Sequence, residues 1–184
     1  MASADNDDAT EVVQRLFDLI RAVPDFPQPG ITFRDITPLL ADADGFAHCI
    51  DLLAEPWRAA NVQVVCAIES RGFIFGAALA DRLRCGFVPL RKPGKLPPPV
   101  VAAAYRLEYG SDALEVRADA PHDGRRALIV DDVLATGGTL AAARSLVEKT
   151  GMHVVGAGVL IELTTLPGRT HWGGDLPLHA LLRY

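Results

Sequence analysis

Asp131 and Asp132 close an apolar run, Ala127-Leu128-Ile129-Val130, and Thr136-Gly137-Gly138-Thr139 follows a few residues later. A short carboxylate accepts two hydrogen bonds well, so the pair suits a vicinal diol or a divalent cation. A small-residue turn that opens a helix presents unsatisfied N–H groups and the positive end of the helix dipole, which suit a phosphate. Together they describe a site for a sugar that carries a phosphate. The familiar nucleotide loops do not account for the stretch: GxxxxGK(S/T) needs a lysine that this loop lacks, and GxGxxG needs another glycine spacing. The plainer reading is an ordinary strand-to-helix turn with capping aspartates. An Asp-Asp pair placed directly after a buried run weighs against it.

Such a site needs elements to hold it. The apolar run reads as a buried strand, and Thr139–Thr150 as a helix with Leu140, Ala143, Leu146 and Val147 on one side and Gly151 to end it. Upstream, Thr10–Ala22 has the spacing of an amphipathic helix. Prolines 24, 27 and 29 with Gly30 then impose irregular structure to about Thr37, and a helix is expected from Ala43 to Ala60. Val62–Ile68 reads as a strand, followed by Glu69-Ser70-Arg71-Gly72 and a helix to about Arg84. Gly86–Leu90 is a short strand that ends at Arg91-Lys92-Pro93-Gly94-Lys95. Tyr105–Gly110 and Ala113–Arg117 could pair as a hairpin, and Val154–Leu163 and Leu178–Arg183 complete the strands. Alternation of strands and helices predicts an α/β fold with a mostly parallel sheet covered on both faces. Ligands of such sheets sit beyond the carboxyl ends of strands. Residues 69–72, 91–95 and 131–139 all fall at such ends.

An apolar run, Asp-Asp, then Ala-Thr-Gly-Gly-Thr resembles the phosphoribosyl pyrophosphate (PRPP) motif of the type I phosphoribosyltransferases. The resemblance implies their Rossmann-like fold, with a small N-terminal hood and a flexible flap loop. It also implies that Asp131 and Asp132 serve the ribose hydroxyls while Ala135, Thr136, Gly137, Gly138 and Thr139 cradle the ribose phosphate. Displacing pyrophosphate leaves negative charge on the departing group, which cations and Mg²⁺ stabilise as it develops. Arg71, Arg91, Lys92 and Lys95 suit that task, arginine through its fork of donors and lysine as a point charge. A solvated charged face is the plain alternative for the loop cations. By resemblance, Glu69, Ser70 and Arg71 belong to the pyrophosphate loop, with a cis peptide at Glu69–Ser70. Mg²⁺ is then held mainly by PRPP and water, without a fixed protein ligand.

Other stretches resemble the adenine phosphoribosyltransferase group of that family. They are the hood segment from Pro24 to Leu40, Glu69-Ser70-Arg71-Gly72-Phe73, Arg91 through Pro97, and Tyr105-x-Leu107-Glu108-Tyr109-Gly110. The resemblance spans about residues 23–166. A proline-stiffened hood can hold backbone groups fixed while Phe33 offers a ring face to a flat purine. The family implies backbone contacts to adenine at Thr32 and Arg34, with Leu163 on the opposite face. Residues 96–116 read as a flap that excludes water from an activated ribose, with Tyr105 and Tyr109 on it and Glu108 delivered to the base. Glu108, Arg71 and Arg91 form the expected catalytic set.

Composition excludes several classes. The chain has 184 residues, room for one domain from residue 10 to residue 184 behind a disordered stretch at 1–9. A net charge of −5 gives no basic field for nucleic acid. No apolar run approaches a membrane span. Cys49, Cys66 and Cys85 show no metal spacing and read as reduced thiols of a cytoplasmic protein. The partners expected are adenine and PRPP, with a second copy of the chain by family habit. Enzymes acting on hypoxanthine, guanine or xanthine, and a non-catalytic PRPP-sensing regulator, are the rival readings.

Overall fold

The architecture comes from a computed structural model. It describes residues 4–107, 110–119 and 124–184, and the side chains among them apart from 4–9, 105–107 and 110–111. The residues group into two compact units, Met1–Asp51 and Leu52–Tyr184.

In the first unit, α1 spans Ala4–Asp18, β1 Arg21–Val23, β2 Phe33–Asp35 and α2 Thr37–Ala41, and α3 begins at Ala43. The helix at α1 starts earlier than expected and takes in part of the stretch read as disordered. Residues 5–8 are Asp-Asn-Asp-Asp, types favoured in a helix's first turn because carboxylates complement its dipole. It also stops before Ala22, since Arg21–Val23 pairs antiparallel with Phe33–Asp35 instead. The proline-rich segment between these strands makes a closed turn, in which the Phe26 N–H bonds the Ile31 carbonyl and the Asp25 carboxylate accepts from the Gly30 N–H at 2.8 Å.

The second unit begins within α3, which ends at Ala54 rather than Ala60; a short 3₁₀ turn, Glu55–Trp57, takes over at Pro56. Proline lacks the N–H and clashes with the preceding turn of an α-helix. The strands β3 (Val64–Ile68), β4 (Gly86–Leu90), β7 (Arg126–Leu134), β8 (His153–Glu162) and β9 (Leu178–Arg183) form one sheet in the order β4-β3-β7-β8-β9. All neighbouring pairs are parallel. Strands buried on both faces read as continuous apolar runs, and β3, Val-Val-Cys-Ala-Ile, is buried at every position. Helix α4 (Gly72–Leu83) crosses from β3 to β4, and α5 (Gly138–Lys149) crosses from β7 to β8. The chain thus leaves β3 in one direction and β7 in the other. Right-handed crossovers then put α4 and α5 on opposite faces and open a crevice between the carboxyl ends of β3 and β7.

Strand β7 is longer than the apolar run suggests. It continues through both aspartates to Leu134, because β8 pairs with it as far as Leu134↔Glu162. Strands β5 (Val100–Leu107) and β6 (Gly110–Arg117) form an antiparallel hairpin. Its base is core: Ala103, Leu114 and Val116 are buried with the sheet residues. The lower half of the segment read as a flap therefore packs as part of the fold. A short helix that the sequence reading lacked, α6 (Gly168–Trp172), follows β8.

Helix α4 seats directly on β3. A Cβ built on Gly76 would lie 2.3 Å from the Ala67 Cβ. Alanine is the better helix former by about 1 kcal/mol, yet here it overpacks the contact, at ~1–3 kcal/mol. Gly76→Ala should therefore lower the melting temperature; a melt that rises would show that the helix can lift off the strand without cost.

Candidate functional site

The crevice predicted by topology is present. A cleft of about 340 Å³ opens between the turn after β3 and the end of β7, with Glu69, Ser70 and Arg71 on one side and Asp131, Asp132 and Thr139 on the other. Ile68, Lys92, Val133 and Ala135 complete its rim. A smaller adjoining hollow of about 70 Å³ is walled by Ala135, Thr136, Gly137 and Thr139. A larger hollow of about 600 Å³ lies elsewhere, along residues 169–179, and contains none of the expected chemistry.

Asp131 and Asp132 sit on consecutive positions of β7 and so point to opposite faces of the strand. Arg71 Nε approaches Asp132 Oδ2 at 2.8 Å, off the line of a hydrogen bond, as an ion pair. The Asp132 N–H donates to Asp131 Oδ1 at 2.9 Å. Gly72 is required beside them: a Cβ there would lie 2.9 Å from Asp131 Oδ1. Burial raises the Asp131 carboxyl well above the ordinary range, and the neighbouring Asp132 charge raises it further. Burial also raises Asp132, against the pull of Arg71.

Gly137 caps α5 with φ +85°, a left-handed conformation in which glycine is unstrained. The loop from Ala135 to Gly138 thereby turns consecutive backbone groups at the N-terminus of a twelve-residue helix. That is the arrangement an anion needs. Leu163 is half-buried immediately after β8, and its N–H bonds the Leu134 carbonyl at 2.9 Å, next to the same loop.

The turn after β3 carries a cis peptide at Glu69–Ser70, as the sequence reading expected. The Glu69 carboxylate is gripped by the second cationic loop: it accepts from Arg91 Nη2 at 2.9 Å, Arg91 Nε at 3.3 Å and the Lys92 N–H at 2.8 Å. The Arg91 hydrogen bond holds Glu69 below its usual carboxyl range. Lys92 forms an ion pair with Asp112. Lys95 is exposed, and its carbonyl accepts from Arg91 Nη1 at 3.3 Å. The hairpin braces this loop, since Arg91 and Glu115 exchange backbone hydrogen bonds and the Glu115 carboxylate accepts from the Gly94 N–H. The sequence reading missed Asp112 and Glu115. Their signal was a pair of carboxylates on a strand that could lie beside a cationic loop.

Thr32, Phe33 and Arg34 belong to the first unit. Phe33 and Arg34 lie on β2, where Phe33 is half-buried and meets Phe26 edge-to-face with ring centres 5.3 Å apart. Glu108 and Tyr109 lie outside the described residues, as does the side chain of Tyr105.

Comparison with known proteins agrees with this geometry. The phosphoribosyl transferase domain family matches residues 36–169. An adenine phosphoribosyltransferase of Xanthomonas campestris pv. campestris (strain B100) is 56% identical over 165 residues, which is 90% of this chain and 89% of that one. One from Thermosynechococcus vestitus is 54% identical over 166 residues, 90% of this chain and 97% of the other. The crystal structure of adenine phosphoribosyltransferase from Rhodothermus marinus superposes with a TM-score of 0.90 at 48% identity, covering 95% of this chain and 99% of that one. The Saccharomyces cerevisiae enzyme, solved with an imino-altritol bisphosphate and adenine, gives 0.87 at 38% identity over 94% and 99%.

The raised carboxyls have a consequence for stability. Both bind a proton more tightly in the folded protein than in the unfolded chain, so their contribution is full below about pH 3.9 and is lost as pH rises through the raised values. Asp131→Asn stays neutral and should raise the melting temperature at neutral pH, by ~2–4 °C for each kcal/mol of relieved cost. Melts of both proteins in acid and at neutrality test this: the gain should vanish in acid, and identical melts at neutral pH would show that ionised Asp131 is not costly.

Proposed function

The chain belongs to the adenine phosphoribosyltransferase family, and from that premise we propose that it transfers the phosphoribosyl group of PRPP to adenine, giving AMP and pyrophosphate in purine salvage. The observation that carries this reading is the shared cleft. Carboxylates at the end of β7, an amide-lined helix start and the cationic turn after β3 all meet at one crevice.

In this reading the ribose phosphate lies on the amides of residues 135–139 and the diol on Asp131 and Asp132. Ribose hydroxyls are donors, and they supply the hydrogen bonds that burial denies these carboxylates. The pyrophosphate faces Arg71, with Ser70 and Lys92 beside it. Glu69 keeps Arg91 stretched toward the site until the leaving group's charge competes for it, and Lys95 adds positive charge nearby. The bond to pyrophosphate loosens, positive charge spreads over the anomeric carbon and ring oxygen, and an imidazole nitrogen of adenine attacks with inversion. Purine recognition is assigned to the backbones of Thr32 and Arg34, the Phe33 ring and Leu163. The purine's proton leaves through Glu108, carried on the flap with Tyr105 and Tyr109.

Magnesium fits this donor set. Mg²⁺ prefers oxygen ligands, keeps several waters and binds through substrate phosphates with one or two carboxylates nearby. The raised carboxyls of Asp131 and Asp132 mark a place short of positive charge. PRPP and water would hold the ion there, without a fixed protein ligand, and when bound it supplies charge to the departing pyrophosphate.

We read the protein as a cytoplasmic homodimer that binds neither nucleic acid nor membrane. A net charge of −5 supports the first exclusion. Among the described residues no helix is long and apolar enough to cross a membrane. Light scattering at micromolar concentration should give twice the monomer mass.

An assay with PRPP, Mg²⁺ and each of adenine, hypoxanthine and guanine should yield AMP and no other nucleotide; IMP or GMP would overturn the base assignment. Glu108→Gln should lower kcat on the order of 10²–10⁴-fold with the PRPP KM little changed, and near-normal turnover would remove Glu108 from proton transfer.

A further inference from the structure

The short helix after β8 is built into the phosphate loop from behind. A Cβ on Gly168 would lie 2.4 Å from the Ala135 carbonyl oxygen, and one on Gly137 would lie 2.5 Å from the Gly168 carbonyl oxygen. The same position on Gly137 would be 3.0 Å from the Cβ of His171. His171 Nδ1 is in hydrogen-bond contact with the Thr136 carbonyl oxygen. Since a carbonyl can only accept, Nδ1 carries the proton.

This clasp is anchored. Trp172 is buried, and its indole N–H donates to the Leu176 carbonyl at 3.0 Å. The Arg144 guanidinium stacks over the Trp172 ring at 5.4 Å and pairs with Asp175 at 2.9 Å. Arg144 belongs to α5, whose first turn closes the phosphate loop. Loop, α5 and α6 therefore form one closed circuit. His171 itself is exposed, so its side chain contributes little to the core.

We infer that His171 is a positioning residue for the ribose phosphate of PRPP, holding the Thr136 carbonyl outward so that the Gly137 N–H points into the phosphate site. The physical link is the planar trans peptide, in which C=O and N–H point in opposite directions. The Thr136–Gly137 bond is not among the cis peptides. Pinning the oxygen on one side fixes the donor on the other. Without the pin the peptide can rotate its plane, and the phosphate must then order the loop on binding. The role rests on the phosphate placement proposed above.

The test compares His171→Leu with His171→Asn, whose side-chain amide can place a donor near the Nδ1 position. His171→Leu should raise the PRPP KM about 3- to 12-fold, the size of one lost oriented hydrogen bond. Saturated kcat and the adenine KM should change less than about threefold, as for an interaction equal in ground and transition states. Calorimetric titration with ribose 5-phosphate should weaken in parallel, and His171→Asn should recover most of both losses. An unchanged PRPP KM in His171→Leu overturns the role. So does a fall of kcat and of the melting temperature together with a rise of both KM values that asparagine does not rescue, since that marks a merely structural contact. A wild-type protein that makes no AMP sinks the functional reading instead, and the ribose 5-phosphate titrations still decide whether His171 shapes an anion site.

Discussion

Two adjacent carboxylates placed among protein at the carboxyl end of a central strand are the constraint around which this structure is organised. Burial opposes ionisation of both Asp131 and Asp132, and the charge of Asp132 opposes that of Asp131 further. The surroundings answer in part. Arg71 approaches Asp132, a backbone amide serves Asp131, and Gly72 leaves no side chain in the way. A packed α/β sheet has few places where such a pair could lie. The crevice between β3 and β7, where successive strands are laid down in opposite directions, is one that remains open. Stability is therefore given up at an open crevice, a common feature of functional sites.

The opposite charge is handled by a different device. The chain is acidic overall, so attraction for a pyrophosphate has to be local. Arg91 is held by Glu69, and Lys92 by Asp112. A long cationic side chain gripped in this way loses its rotamer freedom during folding rather than at the moment of binding. The loop backbone is also fixed, because Arg91 and Glu115 pair across to the hairpin. The hairpin's base in turn rests in the core through Leu114 and Val116. The same hairpin thus supports the cationic loop at its foot.

Several parts of this arrangement were legible beforehand because they depend on near neighbours in the chain. The end of β4 at Leu90, the span of β9 and the helix start near Thr139 follow from local apolar periodicity and from glycine's tolerance of left-handed backbone. The departures have equally local or distinctly non-local causes. Pro56 cut α3 short. Strand β7 ran on past its apolar stretch because β8 was beside it to pair with. The Val100–Ala104 stretch, which by composition looked like part of a loose cover, became a strand once β6 lay opposite and the core beneath.

By itself the sequence determined the order of strands, turns and helices, and it placed carboxylates, amides and cations at strand ends where an α/β fold puts its ligands. Only the tertiary structure decided which of these met. Glu69 finds Arg91, Arg71 finds Asp132, and His171 finds Thr136, 35 residues away. Parallel strands are joined by crossovers, so neighbours in the sheet are distant in the chain. Local periodicity says which way a residue faces, whereas the partner it faces is chosen by sheet order and by the hydrogen bonds that close over it.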